Sequence, residues 1–99
     1  MDTRKRALVA RRYSLSEVDF NNMYYVYSLK CKNGYYIGCT EDLKDRLERH
    51  KKGNVPATKD RLPVKLTIYF AFSNKYTAFN FEKYLKSGSG RAFMKKHFI

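Results

Sequence analysis

Five side chains spread along the sequence carry reactive or charged groups at positions where a fold can bring them together: Tyr27, Tyr36, Arg46, His50 and Glu82. Tyr27 and Tyr36 sit in short aromatic runs, Tyr25-Val26-Tyr27 and Tyr36-Ile37-Gly38, on either side of the turn Lys32-Asn33-Gly34. Asn-Gly between two such runs is a strong hairpin signal, so one phenol from each strand can meet at one spot. The plainer alternative is that tyrosine is simply a good β former. Arg46 and His50 are four residues apart and therefore neighbours on one helix face. That face borders the apolar stripe set by Leu43 and Leu47. A guanidinium there offers forked donors that match a phosphate. Alternatively, the arginine snorkels and the histidine is a hydrogen-bonded core residue. Glu82 lies about 40° from Ala78 around a second helix, whose stripe is Ala78, Phe81 and Leu85. A carboxylate so close to buried surface is costly unless a metal ion or an arginine meets it. A surface ion pair with Lys86, one turn on, is the competing explanation.

The elements that must position these groups follow from the same sequence. Tyr24 to Lys30 and Tyr35 to Cys39 are the two strands of the hairpin. Thr40 has the chemistry of a helix N-cap, with Glu41 and Asp42 facing the positive end of the helix dipole. The helix runs to about Lys52 and stops at Gly53-Asn54. Val55 to Pro63 is a charged loop broken by two prolines. Val64 to Phe72 is a β-rich run and the third strand. Ser73 or Asn74 caps a second helix to about Lys86, which Ser87-Gly88-Ser89-Gly90 ends, and Arg91 to Phe98 suggests a short basic helix. The order β-β-α-β-α-α, without a regular βαβ repeat, predicts a small α+β domain. Its sheet is expected to be three-stranded and antiparallel, flanked by helices.

Ninety-nine residues make one domain with one modest core. Lys and Arg number 21 against 9 Asp and Glu, a net charge of +12, while aromatics reach 16%. That excess of positive charge favours a polyanionic partner, and the aromatics argue against basic disorder. Residues 1–22 read as a basic N-terminal extension, in which Ala7 to Ala10 has the makings of a short helix; residues 23–99 read as the domain. Cys31 and Cys39 do not make a disulfide framework, although a pairing across the hairpin is conceivable. No segment has the length to span a membrane and no signal peptide is evident, so a reducing, cytoplasmic location is expected. Two histidines and two cysteines lack zinc-ligand spacing. Gly88 and Gly90 are expected to follow a helix instead of opening one, which argues against a phosphate-cradling loop.

The two aromatic runs, together with the order tyrosine, tyrosine, arginine on the first helix and glutamate on a later helix, resemble the GIY-YIG nuclease superfamily. The likeness covers about three quarters of the chain, from Met23 onward. It is greatest to small single-domain bacterial members and to the N-terminal nuclease domain of the excision-repair protein UvrC. The second half of the signature, Tyr36-Ile37-Gly38, stands intact; in the first half Tyr27 matches and Tyr25 replaces the glycine. Cys39 stands where UvrC-like domains often carry lysine. The resemblance implies a metal-dependent DNA endonuclease with catalytic roles for Tyr27, Tyr36, Arg46 and Glu82. His50 matches a position that is His or Tyr in several members. One divalent ion, Mg²⁺ or Mn²⁺, is expected on Glu82, with Arg46 stabilising charge on the phosphate. Tyr27 would be general base or water-orienting group, and the products a 5′-phosphate and a 3′-hydroxyl. The remaining Lys and Arg would hold a DNA backbone that is branched, nicked or single-stranded. The alternatives are a nucleic-acid-binding module that keeps the fold without cleaving, and a structural or docking protein.

Overall fold

The computed structural model describes residues 22–99, so the N-terminal extension, apart from Asn22, and the short helix expected within it lie outside the described residues. Three strands, β1 (Tyr24–Lys30), β2 (Tyr35–Thr40) and β3 (Lys65–Phe72), form one sheet in the order β2-β1-β3. Three helices accompany them among the described residues: α1 (Leu43–Lys51), α2 (Lys75–Leu85) and α3 (Gly88–His97). β1 pairs antiparallel with both neighbours. This is the α+β order that the sequence predicts.

The central strand is buried from Val26 to Leu29 without a break. Continuous burial requires cover on both faces, and the helices provide it. Tyr27, Leu29 and Cys31 pack with Tyr36, Leu43, Leu47, Val64 and Leu66 under α1. Val26 packs on the opposite face with Ala78, Leu85 and Met94 from α2 and α3, and with Ile37, Cys39, Ile68 and Phe70. β3 serves both cores because its register with β1 shifts between Ser28 and Leu29, where Ser28 pairs with Ile68 and Leu29 with Leu66. Thr67 is the extra residue of this bulge, and its hydroxyl donates to the Ser28 carbonyl at 2.9 Å.

Local chemistry fixes the element ends. The Cys31 N–H donates to the Gly34 carbonyl at 2.8 Å, closing the hairpin turn. Arg61 clamps that turn from the far loop, donating from Nε to Asn33 Oδ1 and from Nη2 to the Asn33 carbonyl, each at 2.7 Å. β2 continues through Thr40, so the N-cap of α1 falls on Asp42, whose side chain accepts from the Asp45 N–H at 3.0 Å. Thr40 instead accepts from the Asp42 N–H at 3.1 Å. Asn74 caps α2, accepting from the N–H groups of Tyr76 and Thr77. The Ser87-Gly88-Ser89-Gly90 stretch does more than end α2: Ser87 caps α3 and Gly88 is its first residue. A Cβ on Gly90 would strike the Tyr84 carbonyl, so glycine there permits the tight corner between α2 and α3. The conceivable pairing of cysteines is excluded: Cys31 and Cys39 are both free, and they belong to the cores on opposite faces of the sheet. No helix among the described residues is long and apolar enough to cross a membrane.

Candidate active site

Tyr27 is the centre of the site, and the register explains how it gets there. It pairs with Gly38 on the edge strand β2. A Cβ on Gly38 would collide with the phenol oxygen and ring of Tyr27. The glycine of Tyr36-Ile37-Gly38 is therefore a space requirement: it lets the tyrosine of the central strand lie across the edge strand. Tyr27 is only 1% exposed.

His50 receives it from α1. Leu43 and Leu47 seat that helix on the sheet, which turns His50 inward to complete burial. Its Nε2 lies 2.8 Å from the Tyr27 hydroxyl and its Nδ1 lies 2.7 Å from Thr58 Oγ1. Thr58 is also fully buried. Sequence reasoning missed Thr58, because a threonine in an irregular loop carries no periodic signal. The rings of Tyr27, Tyr36 and His50 form a triangle with centroid separations of 5.2 to 6.3 Å.

The two charged members act on this group from the margin. Burial pushes the Tyr27 phenol above its ordinary pKa of 10.0, the Tyr36 phenol and the Glu82 carboxylate add to that, and Arg46 opposes it. Burial likewise raises the Cys39 thiol, aided by Glu82, while Arg46 and Lys86 among others pull it down. Tyr27 and Cys39 face opposite cores, yet both feel Arg46 and Glu82. Those two charges therefore act on groups of both faces. Arg46 and Arg49, behind burial, also lower the His50 pKa from 6.5, so the imidazole is neutral at pH 7.

Glu82 is 23% exposed and its Oε2 lies 3.1 Å from Lys86 Nζ. The ion pair weighed against a functional role is thus present. A single pair with a half-exposed lysine contributes under about 1 kcal/mol, too little to hold the carboxylate against a stronger cation. Among the described residues no three His, Cys, Asp or Glu cluster as metal ligands. The donor set fits a hard, mostly hydrated ion that takes one protein carboxylate and draws its other oxygens from water and substrate.

A cleft of about 430 Å³ runs beside Arg46, with Arg49, Lys75, Cys39 and Phe79 among its walls. Tyr27, His50 and Glu82 do not line it. Tyr25, at the position of the missing signature glycine, turns away to an edge contact with Tyr69 at 5.9 Å. Its bulk falls in a separate cleft with Leu43 and Leu47.

The family model described as the GIY-YIG catalytic domain matches residues 23–97. A UPF0213 protein of Streptococcus pneumoniae is 44% identical over 64 residues, 63% of this chain and 65% of the relative. A UPF0213 protein of Pediococcus pentosaceus is 38% identical over 88 residues, 84% of this chain and 93% of the relative. A third, from Streptococcus agalactiae, is 38% identical over 78 residues, 74% of this chain and 89% of the relative. The chain spans just under two thirds, 65%, of the length of the Streptococcus pneumoniae relatives it matches. No solved structure matches the chain.

Proposed function

The chain belongs to the GIY-YIG domain family, a nuclease superfamily, and from that premise we propose that it is a metal-dependent DNA endonuclease working through Tyr27, Tyr36, Arg46, His50 and Glu82. The observation that carries the reading is the buried chain Tyr27–His50–Thr58, joined at 2.8 and 2.7 Å, with Arg46 and Glu82 both acting on its phenol.

Each residue has work that its surroundings suit. Thr58 holds the imidazole in place. With Nδ1–H donated to Thr58, Nε2 is free to accept the Tyr27 proton, and a neutral imidazole is the form that can accept one. Tyr27 then withdraws a proton from the attacking water, as general base. Arg46 stabilises charge building on the phosphoryl oxygens. Tyr36, packed on both rings, orients water or phosphate. Glu82 holds the ion, Mg²⁺ or Mn²⁺, which when bound supplies Lewis-acid stabilisation of the phosphate and of the leaving 3′-oxygen. The products are a 5′-phosphate and a 3′-hydroxyl. Basic side chains outside the site contact the backbone.

Plasmid cleavage with Mg²⁺ tests this. Conversion of supercoiled to nicked DNA is expected from the wild type and a loss of ~10²-fold or more from Glu82→Ala and Arg46→Ala. Equal cleavage by all three proteins refutes the assignment. A second reading, a DNA-binding module without cleavage, is favoured by the Glu82–Lys86 ion pair. It predicts DNA binding with no nicking at any divalent-ion concentration.

A further inference from the structure

We propose that a second pocket, on the β2 edge beside α2 and α3, binds one nucleotide, with the base inside and the phosphate at the rim. The cavity is about 600 Å³, a volume suited to a small ligand. Ile37, Leu85, Met94 and Ile99 give it apolar walls, and Ser28 of the central strand also faces it. Lys86, Arg91 and Lys95 stand on its lining too, all three exposed. None of the described residues lining it is acidic.

Ser28 is the observation that asks for a ligand. It is 1% exposed, and its Oγ has no hydrogen-bond partner among the described residues. A buried hydroxyl without a partner costs about 1–3 kcal/mol, whereas an apolar residue would pack there without that loss. A ligand with a polar ring edge satisfies the hydroxyl. A flat heteroaromatic ring suits the apolar walls, and the exposed Tyr35, which alternates with Ile37 on the same side of β2, offers a ring for stacking. The cations match a phosphate. An alkyl chain uses neither the hydroxyl nor Tyr35, and a sugar alone uses neither the walls nor the cations.

The pocket shares Tyr36 with the ring triangle around Tyr27, and Lys86 with Glu82. A strand crossing the candidate active site can therefore place a neighbouring base, lifted out of the stack, into this pocket. Only the choice of a nucleotide over other aromatic anions rests on the nuclease reading.

The test is methyl and amide NMR on the full chain, titrated with deoxynucleoside 5′-monophosphates, thymidine, inorganic phosphate and decyl phosphate. The monophosphates are expected to shift the methyl signals of Ile37, Leu85, Met94 and Ile99 and to saturate. Thymidine should bind at least tenfold more weakly, and phosphate alone should leave Ile37 and Leu85 unmoved. The double variant Arg91→Gln, Lys95→Gln should lose at least tenfold in affinity. Ser28→Ala should lose severalfold while melting no lower than the wild type, since it removes an unpaired hydroxyl. The proposal is overturned if monophosphates move none of these methyls, if neither variant weakens binding, or if decyl phosphate binds more tightly. Glu82→Ala separates the two claims. If it abolishes cleavage and the wild type shows no pocket shifts, the pocket falls alone. If wild type and variant cleave equally while both bind monophosphate, the nuclease assignment falls and the pocket stands.

Discussion

Tyr27 is held where a phenol ionises least readily, so its usefulness as a base depends on its neighbours. Because burial and the Tyr36 phenol raise its pKa, the phenolate is scarce at neutral pH and its share grows about tenfold per pH unit. Cleavage is expected to climb steadily from about pH 7 to about pH 9, and Tyr27→Phe to lose about 10²-fold or more and to flatten that climb. A pH–rate profile of both proteins checks it; a wild-type slope that persists in Tyr27→Phe assigns the ionisation elsewhere. His50 makes the converse prediction for stability. Its pKa is lowered in the folded state, through burial first and then Arg46 and Arg49, from the ordinary 6.5. The unfolded chain therefore binds the extra proton first. His50's contribution is complete above pH 6.5 and drains away as pH falls below it toward the folded value. Denaturant midpoints between about pH 7.5 and about pH 5 should drop in the wild type and drop less in His50→Gln. Gly38 offers a third check. Gly38→Ala should cost about 1–3 kcal/mol by forcing Tyr27 aside, and cleavage should fall with it. Gly88→Ala, where nothing stands within 4 Å of the new methyl, should be neutral or stabilising.

At the scale of elements, the caps and stripes are where sequence and structure agree most closely. Asn74→Ala removes the acceptor for two N–H groups of α2 and should cost about 1 kcal/mol. In a domain of this size that lowers the melting temperature by about 4–8 °C, measurable by calorimetry. The hairpin was legible because Asn33-Gly34 sits between aromatic runs, and α1 and α2 because Leu43, Leu47, Ala78 and Leu85 recur at helical spacing. The cap of α1 stands on Asp42, two residues past Thr40, since both carry a capping oxygen and only strand pairing decides between them. The start of α3 was hidden for a different reason. Two glycines and two serines look like a break, yet Gly90 is there so that the helix can begin against the end of α2. At the site, residue types and helix faces pointed to Arg46, His50 and Glu82. The partner of His50, Thr58, depends on how an irregular loop folds back, and no local pattern encodes that. The pocket under Ser28 arises from packing between four elements, β1, β2, α2 and α3, and is equally invisible in the sequence.

Over the whole molecule, charge sets how nucleic acid is approached. A net +12 attracts phosphate without regard to base identity, so association should be fast and strongly dependent on salt. Binding of a short duplex should weaken at least about tenfold between about 50 and about 200 mM salt, by fluorescence anisotropy; a flat response assigns the charge to some other purpose. The sheet, which holds only Lys30 and Lys65 of these cations, is less tolerant than the loops around it. At Thr67 a single inserted residue decides which half of the protein every later side chain of β3 will serve. Were Thr67 drawn into the ladder as an ordinary paired residue, Ile68, Phe70 and Phe72 would turn to the face of Leu66 under α1 and Tyr69 toward α2 and α3, whereas deleting Thr67 leaves Leu66 opposite Leu29 and Ile68 opposite Ser28. Leu66, Ile68, Phe70 and Phe72 alternate evenly in the chain, and they divide between the two cores only because the ladder skips one residue.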